Sequence, residues 1–206
     1  MFVRRALLAL VFGCLISGNV PAVANAADDP GAIIASLGSK ALAEIQKNNA
    51  SRPLMEANFK TLLENYFDVP SISKFVLARY WRVATEAERA EFTQVFEQFV
   101  VQSYAARFAQ YSGETFKVNN VVKDQPDPGD AIVHSTIEAA GEEPVRAEWF
   151  LKKAGDRYLI VDVKIEGVSM VVTYRSEFAE VIQNTGGKVA GLIEAIRKKI
   201  AQGKAS

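Results

Sequence analysis

Between Leu159 and Phe178 a strand-like pattern passes into a helix-like one with no polar loop between them. Leu159, Val161, Val163 and Ile165 share one face at a period of two, and Val168, Val171, Val172 and Phe178 then recur at helical spacing. Only Glu166 and Gly167 separate the two runs. A chain that enters a helix straight from a strand has few ways to fold. The join is expected in the interior, with sheet and helix facing a common apolar space.

The flanking segments supply the rest of both layers. Asp29 followed by Pro30 reads as an N-cap and first helical residue, and Ile34, Leu37, Ala41 and Ile45 mark an amphipathic helix to about Lys47, ending in Asn48-Asn49. Pro53 opens a second helix with Phe59, Leu62, Leu63 and Tyr66 on one stripe. Pro70 forces a break before a short third helix carrying Ile72, Phe75 and Val76. Thr85-Glu86-Ala87-Glu88 is a capping box that starts the longest helix, on which Phe92, Val95, Phe96, Phe99, Val100, Ser103 and Tyr104 recur at three and four. That pattern can continue through Phe108 to Tyr111, before Gly113.

From Thr115 the period becomes two, with strands expected at 115–122, 130–139, 145–153 and 158–165. Asp127-Pro128-Gly129, Gly141-Glu142-Glu143-Pro144 and Ala154-Gly155-Asp156 are too short to return a chain in parallel, so the strands form an antiparallel meander. A helix is expected over 168–183, a break at Gly186-Gly187, and a last helix carrying Val189, Leu192, Ile193, Ile196 and Ile200. Helices, then four antiparallel strands, then helices give an α+β fold: N-terminal and C-terminal helices packed on one face of a curved sheet. An apolar cavity between the layers follows naturally, although the same architecture accommodates a filled core. The broad Phe stripe of the long helix suits either.

Arg4 and Arg5 precede an apolar run over 6–16, and Ala24-Asn25-Ala26 offers the small-x-small site of a signal peptidase, so residues 1–26 are expected to be a cleavable secretory signal. The run is shorter than the roughly 20 residues of a spanning helix. Cys14 raises a lipidated N-terminus as a second reading, which bulky Phe12 and the continuing Leu15-Ile16 oppose. Removal of that segment leaves residues 27–206 without cysteine, hence without a disulfide or thiol nucleophile, and long enough for one domain. It also leaves 22 of the 24 basic side chains against 24 acidic ones. That balance excludes a nucleic-acid partner, since the one basic cluster, Arg197-Lys198-Lys199 with Lys204, ends a helix.

Chemistry finds no foothold. His134 lies mid-strand on the face of Ile132 and Thr136, and Gly167-Val168-Ser169 lacks the second Gly of a nucleophile elbow. One His and no retained Cys leave no metal site in a familiar spacing, and Val189 stands where Gly186-Gly187-Lys188 would need a hydroxyl to be a phosphate loop. No catalytic residue, metal or cofactor is expected. Asp162, Lys164 and Glu166 alternate against the apolar face as a solvated surface, while Arg175 can hold a phosphate at a pocket mouth or pair with Glu177, Asp162 or Glu166.

The run Tyr80-Trp81-Arg82-Val83-Ala84-Thr85-Glu86-Ala87-Glu88-Arg89-Ala90-Glu91-Phe92, and the later Asp162-Val163-Lys164-Ile165-Glu166-Gly167-Val168-Ser169-Met170 with Tyr174-Arg175 and Phe178, resemble the toluene-tolerance family, the MlaC-type periplasmic lipid carriers of Gram-negative bacteria. The resemblance spans most of residues 27–206, with Phe67-Asp68 in support. It implies an α+β fold whose deep apolar cavity takes lipid acyl chains, a phospholipid or, in a related branch, a hopanoid ligand, and transfer between an outer-membrane lipoprotein complex and an inner-membrane ABC transporter complex. On that basis Phe75, Tyr80, Trp81, Phe92, Phe96, Phe99, Trp149, Val163, Ile165, Val168, Met170, Val171 and Tyr174 are the candidate lipid-binding residues, with Arg175 at the mouth. The rival from another class is an envelope adaptor with a filled core.

Overall fold

A computed structural model describes residues 29–47, 51–108 and 113–204. The expected signal segment with Cys14, the Asn48-Asn49 end of the first helix and the continuation of the long helix to Tyr111 lie outside the described residues. Among the described residues five helices precede the sheet, most of them begun by a local device. In α1 (Pro30–Lys47) the Asp29 carboxylate accepts the Gly31 amide at 3.0 Å. Pro53 sits in the first turn of α2 (Arg52–Tyr66), and in α3 (Val69–Leu77) the Asp68 carboxylate accepts the Ser71 amide at 3.1 Å. Ala78, at φ 49°, then breaks the chain before the short α4 (Arg79–Val83), a helix the apolar spacing does not separate. The long α5 (Glu86–Phe108) follows.

The sheet is the expected meander with one addition. β1 (Thr115–Lys123), β2 (Ala131–Glu138), β3 (Val145–Ala154) and β4 (Arg157–Ile165) pair antiparallel in chain order, and β5 (Val168–Ser169) adds a fifth strand against β4. Glu166 and Gly167 take φ values of 48° and 80°, the left-handed pair that a two-residue hairpin turn demands, so the chain reverses at the point where a helix was expected to begin. α6 (Met170–Asn184) starts two residues later, with the Ser169 hydroxyl accepting the Val172 amide at 3.1 Å. The join therefore lies at the sheet's edge and not in the interior. Val168 is 55% and Val172 51% exposed. Gly186-Gly187 then ends α6, and α7 (Val189–Lys204) buries Val189, Leu192, Ile193, Ile196 and Ile200.

Two bulges correct the simple alternation. The β1 register slips between Val118 and Asn120, and the pairing of β3 with β4 slips so that Leu151 faces Ile160 while Phe150 faces Asp162, leaving Val161 without a partner. One extra residue moves every later side chain to the opposite face. Tyr158 and Ile160 are therefore buried before the bulge, Val163 and Ile165 turn inward after it, and Leu159 and Val161 do not share that face.

Two large apolar clusters result, beside a smaller one around Leu63, Val69 and Val101. On the inner face of the sheet Ile34 and Leu37 of α1 meet Ala131, Val133, Leu151, Tyr158 and Ile160. Behind it α3, α5, α6 and α7 close around Phe92, Phe96, Phe178, Ile182 and Leu192. Phe92 and Phe96 stack at 5.6 Å between centroids, and Phe178 meets them edge-on at 6.1 and 5.8 Å. Such ring pairs contribute about 0.5–1.5 kcal/mol each beyond the area they bury. They bind α5 to α6, and the space between the two clusters is left open.

The capping box of α5 has a measurable signature. The Glu88 carboxylate accepts the Thr85 amide at 2.8 Å while the Thr85 hydroxyl accepts the Glu88 amide at 3.2 Å, and the bonds from the Thr85 backbone and side chain hold the Glu88 carboxyl below its usual range. A depressed carboxyl contributes stability above its unfolded value of about 4.3, and the contribution is lost as pH falls through the lower folded value. Glu88→Gln is therefore expected to reduce stability at neutral pH and to flatten the fall in the urea-unfolding midpoint between about pH 5 and 3. Identical pH profiles for the two proteins would contradict the assignment.

Candidate functional site

A cavity of about 400 Å³ lies between α1, α2, α5 and α6 on one side and the inner face of β1 to β4 on the other. It exists because each wall is built on a different element. α1 contributes Leu37, Gly38, Ala41 and Leu42; α2 contributes Phe59, Leu62 and Leu63; the sheet contributes Phe116, Ile137, Val145, Trp149, Val163 and Ile165. Phe96, Val100 and Tyr104 of α5 and Met170, Val171 and Tyr174 of α6 close the far side.

The polar groups in this lining already have partners within the protein. The Trp149 indole N–H donates to the Ser135 hydroxyl at 2.8 Å. The Tyr104 hydroxyl donates to Met170 Sδ at 3.4 Å and accepts from the Tyr174 hydroxyl at 3.4 Å. Glu97 is ion-paired with Lys60, which also bonds Glu64. Asp162 is the most heavily used: its carboxylate accepts the Ser169 hydroxyl at 2.6 Å, its neighbour's Val163 amide at 2.7 Å and the Val171 amide at 3.2 Å. It is half-buried and ties the sheet to the first turn of α6, so it is not the solvated surface carboxylate expected from alternation. The bonds go to an ionised acceptor at a helix N-terminus, where negative charge is favoured.

The sequence-expected residues divide into two groups. Phe96, Trp149, Val163, Ile165, Met170, Val171 and Tyr174 converge on the cavity. The others do not line it. Phe92 is fully buried behind it, Phe99 packs at 6.0 Å on Tyr174, and Val168 projects from the sheet's edge. Tyr80 takes a hydrogen bond from Arg79 at 2.8 Å, and Trp81 is held by Arg89, whose Nε donates to the Trp81 carbonyl at 2.8 Å beneath a ring contact at 5.6 Å. The Tyr80 to Phe92 run therefore builds the joint between α3, α4 and α5. Arg175 lies over the ring of Phe75 at 5.3 Å, both exposed, while Glu166 pairs with Arg146 at 2.8 Å. Apart from two glycines seven residues apart in α1, the α1 and α2 walls carried no signal beyond ordinary amphipathic stripes.

Chemically the site offers hydrocarbon contact. Among the described residues no Ser, Thr, Cys or His lines the cavity, and His134 lies on the outward-facing row of β2. The volume falls within the roughly 300–1,000 Å³ of small-molecule sites and well above the ~150 Å³ at which an apolar cavity stays dry and takes up apolar guests. With every polar lining group engaged, a guest gains most by burying methylenes, at about 0.8 kcal/mol each.

The family model described as MlaC protein matches residues 36–198. Among curated proteins, toluene tolerance protein ttg2D of Pseudomonas putida is 21% identical over 206 residues, covering 98% of this chain and 92% of the relative. Among solved structures, a phospholipid-binding protein from Ralstonia solanacearum, determined in complex with a phospholipid, shares the fold at a TM-score of 0.73. It is 23% identical, with 85% of this chain and 99% of that one covered.

Asp162→Ala is expected to lower stability by about 1.5–3 kcal/mol, the usual worth of a hydrogen bond to a charged group, in urea unfolding. Asp162→Asn, which retains an acceptor, is expected to lose less. A loss below about 0.5 kcal/mol for the alanine variant would show that this carboxylate does not hold α6 to the sheet.

Proposed function

The chain belongs to the MlaC family, and from that membership we propose that it is a non-enzymatic lipid carrier that encloses phospholipid acyl chains in the cavity and leaves the head group outside. The observation that carries this reading is the cavity itself: apolar side chains from both layers enclose it, and its polar groups are already bonded within the protein. The fold shared with a solved phospholipid complex supports the choice of ligand. A hopanoid fits the same apolar walls and is the alternative within the family. A filled-core adaptor has no use for such a space.

The physics of transfer suits the design. A lipid with two long chains cannot leave a bilayer unaided at about 0.8 kcal/mol per methylene exposed, and a soluble carrier removes that barrier. It need only match the bilayer, because tighter binding would prevent delivery. In this reading residues 1–26 direct export, residues 27–206 form one lipid-binding domain, and that domain works in the periplasm between an outer-membrane lipoprotein complex and an inner-membrane ABC transporter complex. The family resemblance supports those partners.

The test is lipid loading. Protein purified without detergent is examined by native mass spectrometry and organic extraction, then incubated with phospholipid vesicles. Val171→Asp places a charge in the buried wall and is expected to abolish loading, whereas Val172→Asp, one residue on and half exposed, is expected to load normally. A wild-type chain that neither carries nor acquires lipid, or a folded Val171→Asp variant that loads fully, would overturn the reading.

A further inference from the structure

α1 meets the sheet at a place where only glycine fits. A Cβ added to Gly38 would stand 2.2 Å from Cδ1 of Phe116 and 2.6 Å from two more atoms of that ring. The ring is therefore seated directly on the helix backbone. Two turns earlier Gly31 stands in the same relation to Val121 of the same strand, at 2.9 Å, so α1 lies close along β1 and cannot back away at Gly38 without losing that second contact. Across from Gly38, Phe116 meets Trp149 edge-on, with centroids 6.2 Å apart and planes at 75°. Trp149 is itself anchored by the buried Ser135 hydroxyl at 2.8 Å. Gly38, Phe116 and Trp149 all line the cavity. Phe116 thus has helix backbone on one side, a fixed indole on another, and open cavity on a third.

We propose that this layer sets how much hydrocarbon the cavity accepts: Phe116 is the specificity-determining residue for acyl-chain bulk, and Gly38 is the positioning residue that keeps its ring out of the cavity. The proposal rests on the lipid-carrier reading above. A side chain at position 38 pushes the ring off the helix backbone toward the open cavity and takes volume from the guest. Trimming Phe116 returns volume to it.

The experiment exchanges the purified full chain against phosphatidylcholine vesicles that offer dimyristoleoyl and dioleoyl species in equal amounts, and reads the ratio of the two in the recovered complex by mass spectrometry. Relative to wild type, Gly38→Ala is expected to shift that ratio toward the shorter species by about fourfold, the factor one methylene is worth, and Phe116→Ala to shift it toward the longer species. Phe116→Leu serves as the milder variant should the alanine form fail to fold, and circular dichroism checks each. Wild type that takes up no lipid removes the carrier reading and this proposal together. Wild type that loads while folded Gly38→Ala and Phe116→Leu keep its ratio, or shift it in the same direction, removes this proposal alone.

Discussion

The cavity depends on Asp162. Its carboxylate joins the end of β4 to the first turn of α6 through the Ser169 hydroxyl and the Val171 amide, in place of the ladder bonds a longer β5 would have made. The bulge at Val161 sets that geometry: it shifts the register of β4 on β3 by one residue just before Asp162 and turns Val163 and Ile165 to the inner face. Met170, Val171 and Tyr174 are then delivered as a wall opposite the sheet, fixed from one end. On the other end Phe96 and Phe178 hold α6 to α5. A helix pinned at both places cannot fall inward onto the strands.

Leaving that space open has an energetic consequence. Apolar walls that face an unfilled space have no partner atoms across it and forgo the packing contacts a filled core would give. A guest made of methylenes recovers that loss without requiring any new polar contact, because Trp149, Tyr104, Tyr174 and Asp162 are already bonded elsewhere. Selectivity in such a site comes from shape more than from charge.

Much of this was legible in the residues. The hairpin turns and the alternation gave the four long strands to within a residue or so, the Thr85-Glu88 box gave the start of α5, and the apolar spacing of α7 named its buried side chains. What escaped was set by contacts far apart in the chain. A bulge inserts one residue without disturbing the look of alternation, so Leu159 and Val161 stood in for Tyr158 and Ile160. The two-residue β5 is shorter than any periodicity can register, although Glu166-Gly167 is a hairpin pair. Half of the candidate site residues converged on the cavity, and the α3 to α5 motif did not, since a conspicuous run such as Tyr80-Trp81 can equally well serve helix packing. The α1 and α2 walls looked like ordinary stripes. Only the two glycines seven apart in α1 hinted that this helix lies close enough to the sheet to form a wall.

The central claim is an apolar interior held open for hydrocarbon, and electron density tests it most directly. A crystal structure of the protein purified without detergent is predicted to show continuous, tube-like density between Trp149, Phe96, Met170 and Leu62, with no side chain of the protein accounting for it. A structure in which α6 and α1 have closed onto the sheet, so that these four side chains touch one another and nothing else occupies the space, would contradict it.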